Sequence, residues 1–236
     1  MSTKNKDLYV GIDLGTTFSS LSYSDNNTQC VTMLDFGISS SLSASTVNFT
    51  QTPIGVSVEN ANVIGEVKRF IGLTYDDPAI KTICKELSYK IDKESHNRIT
   101  IPVVYNGKQY SFYPEEISAF VFSNLKKQLI HKTGVKEINI RAVLCCPVSF
   151  NDAQKEATLR AAQYAGIDVV KLIPEPTAAF YFYSIRNHAF NIENDVTKKD
   201  TKVPSGYPKM PTEINEGIFL TFDFGGGTLD TTCSST

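Results

Sequence analysis

Two stretches near opposite ends of the chain share one pattern: an apolar run, an aspartate, an apolar residue, then glycine and threonine. Ile12-Asp-Leu-Gly-Thr-Thr17 follows the run Leu8 to Ile12, and Phe222-Asp-Phe-Gly-Gly-Gly-Thr228 closes the run Ile218 to Phe222. A short apolar run bounded by glycine reads as a buried strand entering a tight turn. The same device used twice points to a duplicated architecture. A glycine turn lets backbone N–H groups approach phosphate oxygens with no Cβ in the way. Threonine hydroxyls add donors to the same oxygens. An aspartate cannot face phosphate, since both are negative, but it can hold a magnesium ion through that ion's water shell. Two such turns facing each other would clasp a polyphosphate from both sides. One turn of this kind is common for purely structural reasons, so the specificity lies in the repetition. No Gly-x-x-x-x-Gly-Lys-Ser/Thr run is present, which excludes the P-loop solution.

Between the two turns the sequence alternates strand and helix patterns. Phe18 to Ser24, Cys30 to Leu34 and Thr46 to Phe49 read as strands. Pro114, Glu115 and Glu116 open a helix whose apolar positions Ile117, Phe120, Val121, Leu125 and Leu129 recur at helical spacing until Gly134. A strand from Ile138 is ended by Pro147, and Asn151-Asp-Ala-Gln154 reads as a capping box before a helix over Gln154 to Tyr164. Val169 to Ile173 is a further strand, and a helix begins at Pro176. This order implies an α/β fold with a sheet that is parallel in part. Residues 187–216 break the pattern: they are polar, carry three prolines and show no period. A solvated, disordered insertion is expected there.

Composition removes several function classes. The chain has 236 residues, and 23 basic against 25 acidic side chains leave a net charge of −2. With no basic cluster, nucleic acid is not an expected partner. No apolar run approaches a membrane span, and the N-terminus has no apolar stretch of the signal-peptide kind. The five cysteines match no zinc spacing and suit reduced thiols, with Cys145 and Cys146 as inert strand residues. A cytoplasmic location is expected.

Six segments in register then carry a resemblance. Gly11-Ile-Asp-Leu-Gly-Thr-Thr-Phe-Ser19 and Phe222-Asp-Phe-Gly-Gly-Gly-Thr-Leu-Asp230 resemble the two phosphate-binding motifs of the seventy-kilodalton heat-shock chaperones (heat shock protein 70). Val67-Lys-Arg-Phe-Ile-Gly72, Ser111-Phe-Tyr-Pro-Glu-Glu116, Pro147 with Phe150-Asn-Asp152, and Glu175-Pro-Thr-Ala-Ala179 resemble that family's segments in its order. The resemblance implies one lobe of an actin-like (ribonuclease H-like) ATPase domain, with a mixed parallel and antiparallel sheet flanked by helices. Residues 1–186 would form the first lobe, 187–216 the insertion, and 217–236 the start of the second half. The second lobe and the peptide-binding domain are not encoded in the sequence, which reads as cut.

By the same resemblance, ATP or ADP and magnesium are the cofactors. Asp13 and Asp223 would organise the hydrated metal. Gly15, Thr16, Thr17, Phe18, Gly225, Gly226, Gly227 and Thr228 would contact the nucleotide. Lys68 would be the catalytic cation beside the γ-phosphate, Glu175 would help order the attacking water, and Asp223 would also serve catalysis. Pro147 and Lys155 would relay nucleotide state to the next domain. Without the resemblance, Lys68 reads as a solvated surface lysine and Glu175 as a helix-capping acid.

Departures from the family pattern are Val148-Ser149 after the hinge proline, Lys155 in place of an arginine, Phe18 in place of tyrosine, and a shortened segment from Ile54 to Glu66. They bear on interdomain signalling more than on phosphate chemistry. Two function classes follow. The first is an ATP-hydrolysing chaperone, with a J-domain protein, a nucleotide exchange factor and unfolded peptide as partners. The second is a non-hydrolysing scaffold, for example a ribosome-associated one. A sugar kinase of the same fold is disfavoured by the lysine-arginine and Glu-Pro-Thr-Ala-Ala segments. Hydrolysis should be weak with half a site, and ATP binding weak with little preference for adenine.

Overall fold

The computed structural model describes residues 6–25, 30–36, 41–49, 55–56, 63–134, 138–183, 218–225 and 229–235. The expected insertion at 187–216 lies outside them. Six strands form the main sheet, with the opening strand Lys6–Asp13 at its centre. On one side it pairs in parallel with Ile138–Cys146, which pairs in parallel with Asp168–Pro174. On the other side it pairs antiparallel with Phe18–Asp25, which in turn pairs with Cys30–Met33 and the short Ser43–Ala44. The mixed sheet expected from sequence is therefore present.

Alternation along the central strands decides which face is covered. Leu8, Val10 and Ile12 are buried, as are Ile140, Ala142 and Leu144 of the parallel neighbour, while Tyr9 is exposed. Two helices are the main cover of the buried face. Pro114–Thr133 starts with proline in its first turn, and the Glu116 carboxylate accepts from the Tyr113 N–H at 2.7 Å. Its last turn closes on Gly134, at φ 66°, whose N–H donates to the Ile130 carbonyl at 2.9 Å. Ile117, Val121, Leu125 and Leu129 make one buried stripe, as their spacing of four requires.

The second helix, Asp152–Tyr164, begins two residues before its expected start. The capping box explains this: Asn151 accepts from the Gln154 N–H at 2.9 Å, and Gln154 accepts from the Asn151 N–H at 3.2 Å. Ala157, Ala161 and Ala162 are fully buried on it, so small side chains let it lie close to its neighbours. The strand before it ends at Cys146, because Pro147 has no N–H to continue a ladder. A helix starts at residue 175 and is described to 183, with Pro176 buried in its first turn.

A smaller group of strands stands beside the main sheet. Ile99–Tyr105 and Lys108–Phe112 pair through a two-residue turn, Asn106-Gly107, with φ of 50° and 72°. Positive φ at both positions is the geometry that matches strand twist, and asparagine-glycine supplies it. Phe112 and Phe120 pack on Phe49, with ring centroids at 5.3 and 5.8 Å. This ties the hairpin to the long helix. The late strands Ile218–Phe224 and Leu229–Ser235 pair antiparallel. Among the described residues no helix is long and apolar enough to cross a membrane.

Candidate nucleotide site

Three parallel strands run in one direction, so their carboxyl ends share an edge of the sheet. In open α/β sheets that edge is where ligands collect, because the loops there face no further strand. Asp13 ends the first of these strands, Pro147 follows the second, and Glu175 follows the third. In register, Asp13 stands beside Cys145, and the Cys146–Pro174 pair brings Glu175 to the same edge. Topology alone places residues far apart in sequence at one locus.

The loop after Asp13 cannot carry a side chain at its tight point. A Cβ on Gly15 would lie 2.0 Å from the Phe18 carbonyl oxygen. The following residues are tethered from below: Ser45 donates its N–H to the Thr17 carbonyl at 2.9 Å, and the Ser19 and Ser45 hydroxyls pair at 2.8 Å. Thr17 and Phe18 are exposed and Thr16 half-buried, so the turn is held rigid while its outer surface stays open. Beside Thr16 and Thr17 a cavity of about 400 Å³ reaches to Gly65, Glu66 and Tyr89.

Lys68 arrives from a short 3₁₀ turn, Val67–Arg69, whose preceding residue Glu66 sits at φ 57°. The turn is pinned by Arg69, which donates to Glu66 at 2.7 Å and to Glu86 at 2.5 Å. Tyr89 adds a hydrogen bond from its hydroxyl to the Gly65 carbonyl. On the far side, Gly72 at φ +73° presses against the start of helix Asp152–Tyr164. A Cβ there would meet the Ala153 oxygen and Gln154 Cα at 2.6 Å. So fixed, Lys68 donates to Glu175 at 2.5 Å, with the two side chains 11% and 9% exposed. Its sequence-only reading as a solvated lysine is corrected by this geometry: the pair is nearly buried.

Asp13, Glu175 and Asp223 all lie within electrostatic reach of one another, and Lys68 acts on Asp13 and Glu175. Burial pushes the Asp13 carboxyl above its ordinary value; Lys68 pulls it down and Asp223 pushes it up again. Asp13 keeps access to solvent at the strand end, but protein atoms crowd its other sides. Glu175 is likewise raised, first by burial, with Lys68 opposing and the two aspartates adding to the rise. Three carboxylates against one ammonium leave an excess of negative charge in a partly dry place. Cys145 joins the same cluster. Burial and then the charges of Asp13 and Glu175 push its thiol up to about 12, so it stays protonated at neutral pH. The expectation of an inert thiol agrees with this.

The remaining site residues are placed as follows. Gly225 is exposed at the end of the late strand Ile218–Phe224, whereas Gly226, Gly227 and Thr228 lie outside the described residues. Pro147 is buried just beyond the sheet edge and accepts from the Phe150 N–H at 3.2 Å. Lys155 sits on the second helix, 3.7 Å from Asp152, and does not join the carboxylate cluster. The Lys68–Glu175 pair, the Arg69 clamp and Cys145 as a neighbour of Asp13 carry no signal in the sequence. The pair spans 107 positions, and no local pattern announces a contact across that distance.

The family model described as "Hsp70 protein" matches residues 9–235. This chain belongs to the Hsp70 family. Among curated relatives, a heat shock protein of the fungus Pyricularia oryzae is 33% identical over 98% of this chain and 34% of its own length. The heat shock protein hsp-6 of Caenorhabditis elegans is 32% identical, over 98% of this chain and 31% of its own. The chain thus spans about a third of the length of the Hsp70 relatives it matches. Its mixed sheet with flanking helices fits the actin-like nucleotide-binding lobe of that family, as the resemblance implied. The scaffold alternative is not favoured over this reading.

Proposed function

We propose that the sheet edge binds the phosphates of ATP or ADP together with a hydrated magnesium ion, and that Lys68 and Glu175 serve hydrolysis in the Hsp70-type chaperone. The observation that carries the reading is the convergence of Asp13, Lys68, Glu175 and Asp223 on one edge, beside a glycine turn open to solvent. The donor set fits magnesium held through water. Among the described residues no three acidic, cysteine or histidine side chains come together closely enough to ligate an ion directly. Yet burial, with neighbouring carboxylates adding a smaller push, raises Asp13 and Glu175, and a cation beside them would relieve both. Magnesium, when bound, neutralises charge on the phosphate oxygens.

Each residue then has a task. The Gly15–Thr17 turn offers backbone and hydroxyl donors to phosphate, with Phe18 flanking it; the same task is assigned to Gly225, Gly226, Gly227 and Thr228 by the repeat of the motif. Asp13 and Asp223 would hold magnesium through its water shell. Lys68 presents a fixed ammonium to charge that spreads over the transferring phosphoryl group. Glu175 holds that ammonium in place and accepts a hydrogen bond from the attacking water. Pro147 and Lys155, just past the edge, pass the nucleotide state outward. In the whole protein this cycle would control the grip on unfolded chains, with a J-domain protein and a nucleotide exchange factor as co-chaperones, in the cytoplasm.

The test is turnover in the full-length protein. Lys68→Ala should lower single-turnover hydrolysis by about 10²-fold, while the Kd for magnesium-ATP changes by about threefold at most. Unchanged turnover would refute the assignment of Lys68. ATP binding with no turnover in the unaltered protein would select the scaffold.

A further inference from the structure

A second cavity, of about 420 Å³, opens on another flank of the lobe. It lies between the start of helix Pro114–Thr133, the segment following the Lys68 turn, and the end of helix Asp152–Tyr164. Its three charged lining residues are Arg98, Glu115 and Arg160, so its own charge is 2 − 1 = +1. Their burial is uneven. The Glu115 side chain is 5% exposed, while those of Arg98 and Arg160 keep 45% and 43%.

Arg98 is hydrogen-bonded. It donates through Nη2 to Glu115 at 2.9 Å, and its guanidinium sits 3.5 Å from the centre of the Tyr113 ring. Arg160 is not. Its Nε lies 3.7 Å from the same Glu115 oxygen, and its Nη1 lies 3.8 Å from Glu156. Both distances exceed a hydrogen bond. One carboxylate oxygen is thus shared between two guanidinium groups, and Arg160 makes no side-chain hydrogen bond among the described residues. An arginine fork turned toward a cavity is shaped for a carboxylate, which it can bind through two parallel N–H donors. The other walls include the apolar Leu73, Ile99 and Pro114, the polar Thr74, and the rings of Tyr113 and Tyr164, the last 60% exposed. A small inorganic anion gains nothing from such walls. The alkyl stem of an acidic side chain, and an apolar residue next to it, would bury surface against them.

We propose that this cavity is a docking site for a partner polypeptide, which inserts an aspartate or glutamate flanked by an apolar residue, with Arg160 receiving the carboxylate. The site is separate from the phosphate-binding edge and does not depend on the nucleotide reading.

The probe is N-acetyl-Leu-Glu-Leu-amide, titrated into the full chain labelled with nitrogen-15. Amide shifts should centre on Thr74, Arg160 and Tyr164, with a Kd of about 10⁻³ M. Replacing the probe's glutamate by glutamine should weaken binding about tenfold, as should R160Q, since either change removes one partner of a charge-assisted pair. Should R160Q fail to fold, the glutamate-to-glutamine comparison on the unaltered chain still decides. Equal binding of the two peptides, shifts centred elsewhere, or inorganic phosphate binding as tightly as the peptide would each overturn the proposal.

Discussion

Replacing Lys68 by methionine removes the cation that the structure sets against three carboxylates. Its immediate partner, Glu175, is 9% exposed at its side chain, so it would be left as an unpaired buried charge. Breaking such a pair costs about 3–5 kcal/mol when the orphaned group stays ionised. Glu175 has an escape, because it can take up a proton. From an ordinary carboxyl value of 4.5, protonation at pH 7 costs about 3.4 kcal/mol, from 1.36 × 2.5. That figure is the ceiling on the charge penalty at Glu175. We expect Lys68→Met to lower the unfolding free energy by about 2–3 kcal/mol at pH 7.

The pH dependence follows in sign. Burial already raises Glu175 in the folded chain, and loss of Lys68 raises it further, so the folded state binds more protons than the unfolded one. The penalty is absent below the unfolded pKa near 4.5 and grows as pH rises toward the elevated folded value. At pH 5 the ceiling is only about 0.7 kcal/mol. Adding Glu175→Gln to Lys68→Met should recover most of the loss at pH 7, since the carboxylate that Lys68 bonds directly no longer carries an unpaired charge. Urea denaturation of the three variants at pH 7 and pH 5 measures this. An equal loss at both pH values, or a double variant no better than the single one, would refute the reasoning.

Two further outcomes follow from the glycines. Gly72→Ala places a methyl group 2.6 Å from the backbone of the second helix at a φ of +73°; we expect a loss of about 2–4 kcal/mol and a fall in Tm of about 5–12 °C by calorimetry. An unchanged Tm would show that the helix start can yield. Gly15→Ala would put Cβ 2.0 Å from the Phe18 oxygen, forcing the turn open, so binding of magnesium tripolyphosphate should weaken by about tenfold or more; affinity within about twofold of the unaltered chain would remove that turn from the phosphate site.

Local features are legible in the sequence because local physics makes them. The long helix carries its start at Pro114 and its stop at Gly134, and both act within one turn of where they stand. The opening strand ends where Asp13 and Gly15 say it must. The second helix starts two residues ahead of its expected position only because Asn151 caps it from further upstream than the apolar spacing indicates. The two glycine turns, recognised as one device used twice, are the ground in the sequence for expecting a shared site.

What the sequence could not determine is who meets whom across the sheet. Parallel pairing of Lys6–Asp13 with Ile138–Cys146 and then Asp168–Pro174 brings Asp13 and Glu175 to one edge. Only that assembly changes Lys68 from a surface lysine into half of a nearly buried ion pair. Arg160 is a second case: it faces a cavity with no side-chain hydrogen bond among the described residues, which its place in the sequence does not announce. The reason is common to both. A side chain's local propensity is set by its neighbours in sequence, whereas its charge state and availability are set by burial and by partners that the tertiary fold alone supplies.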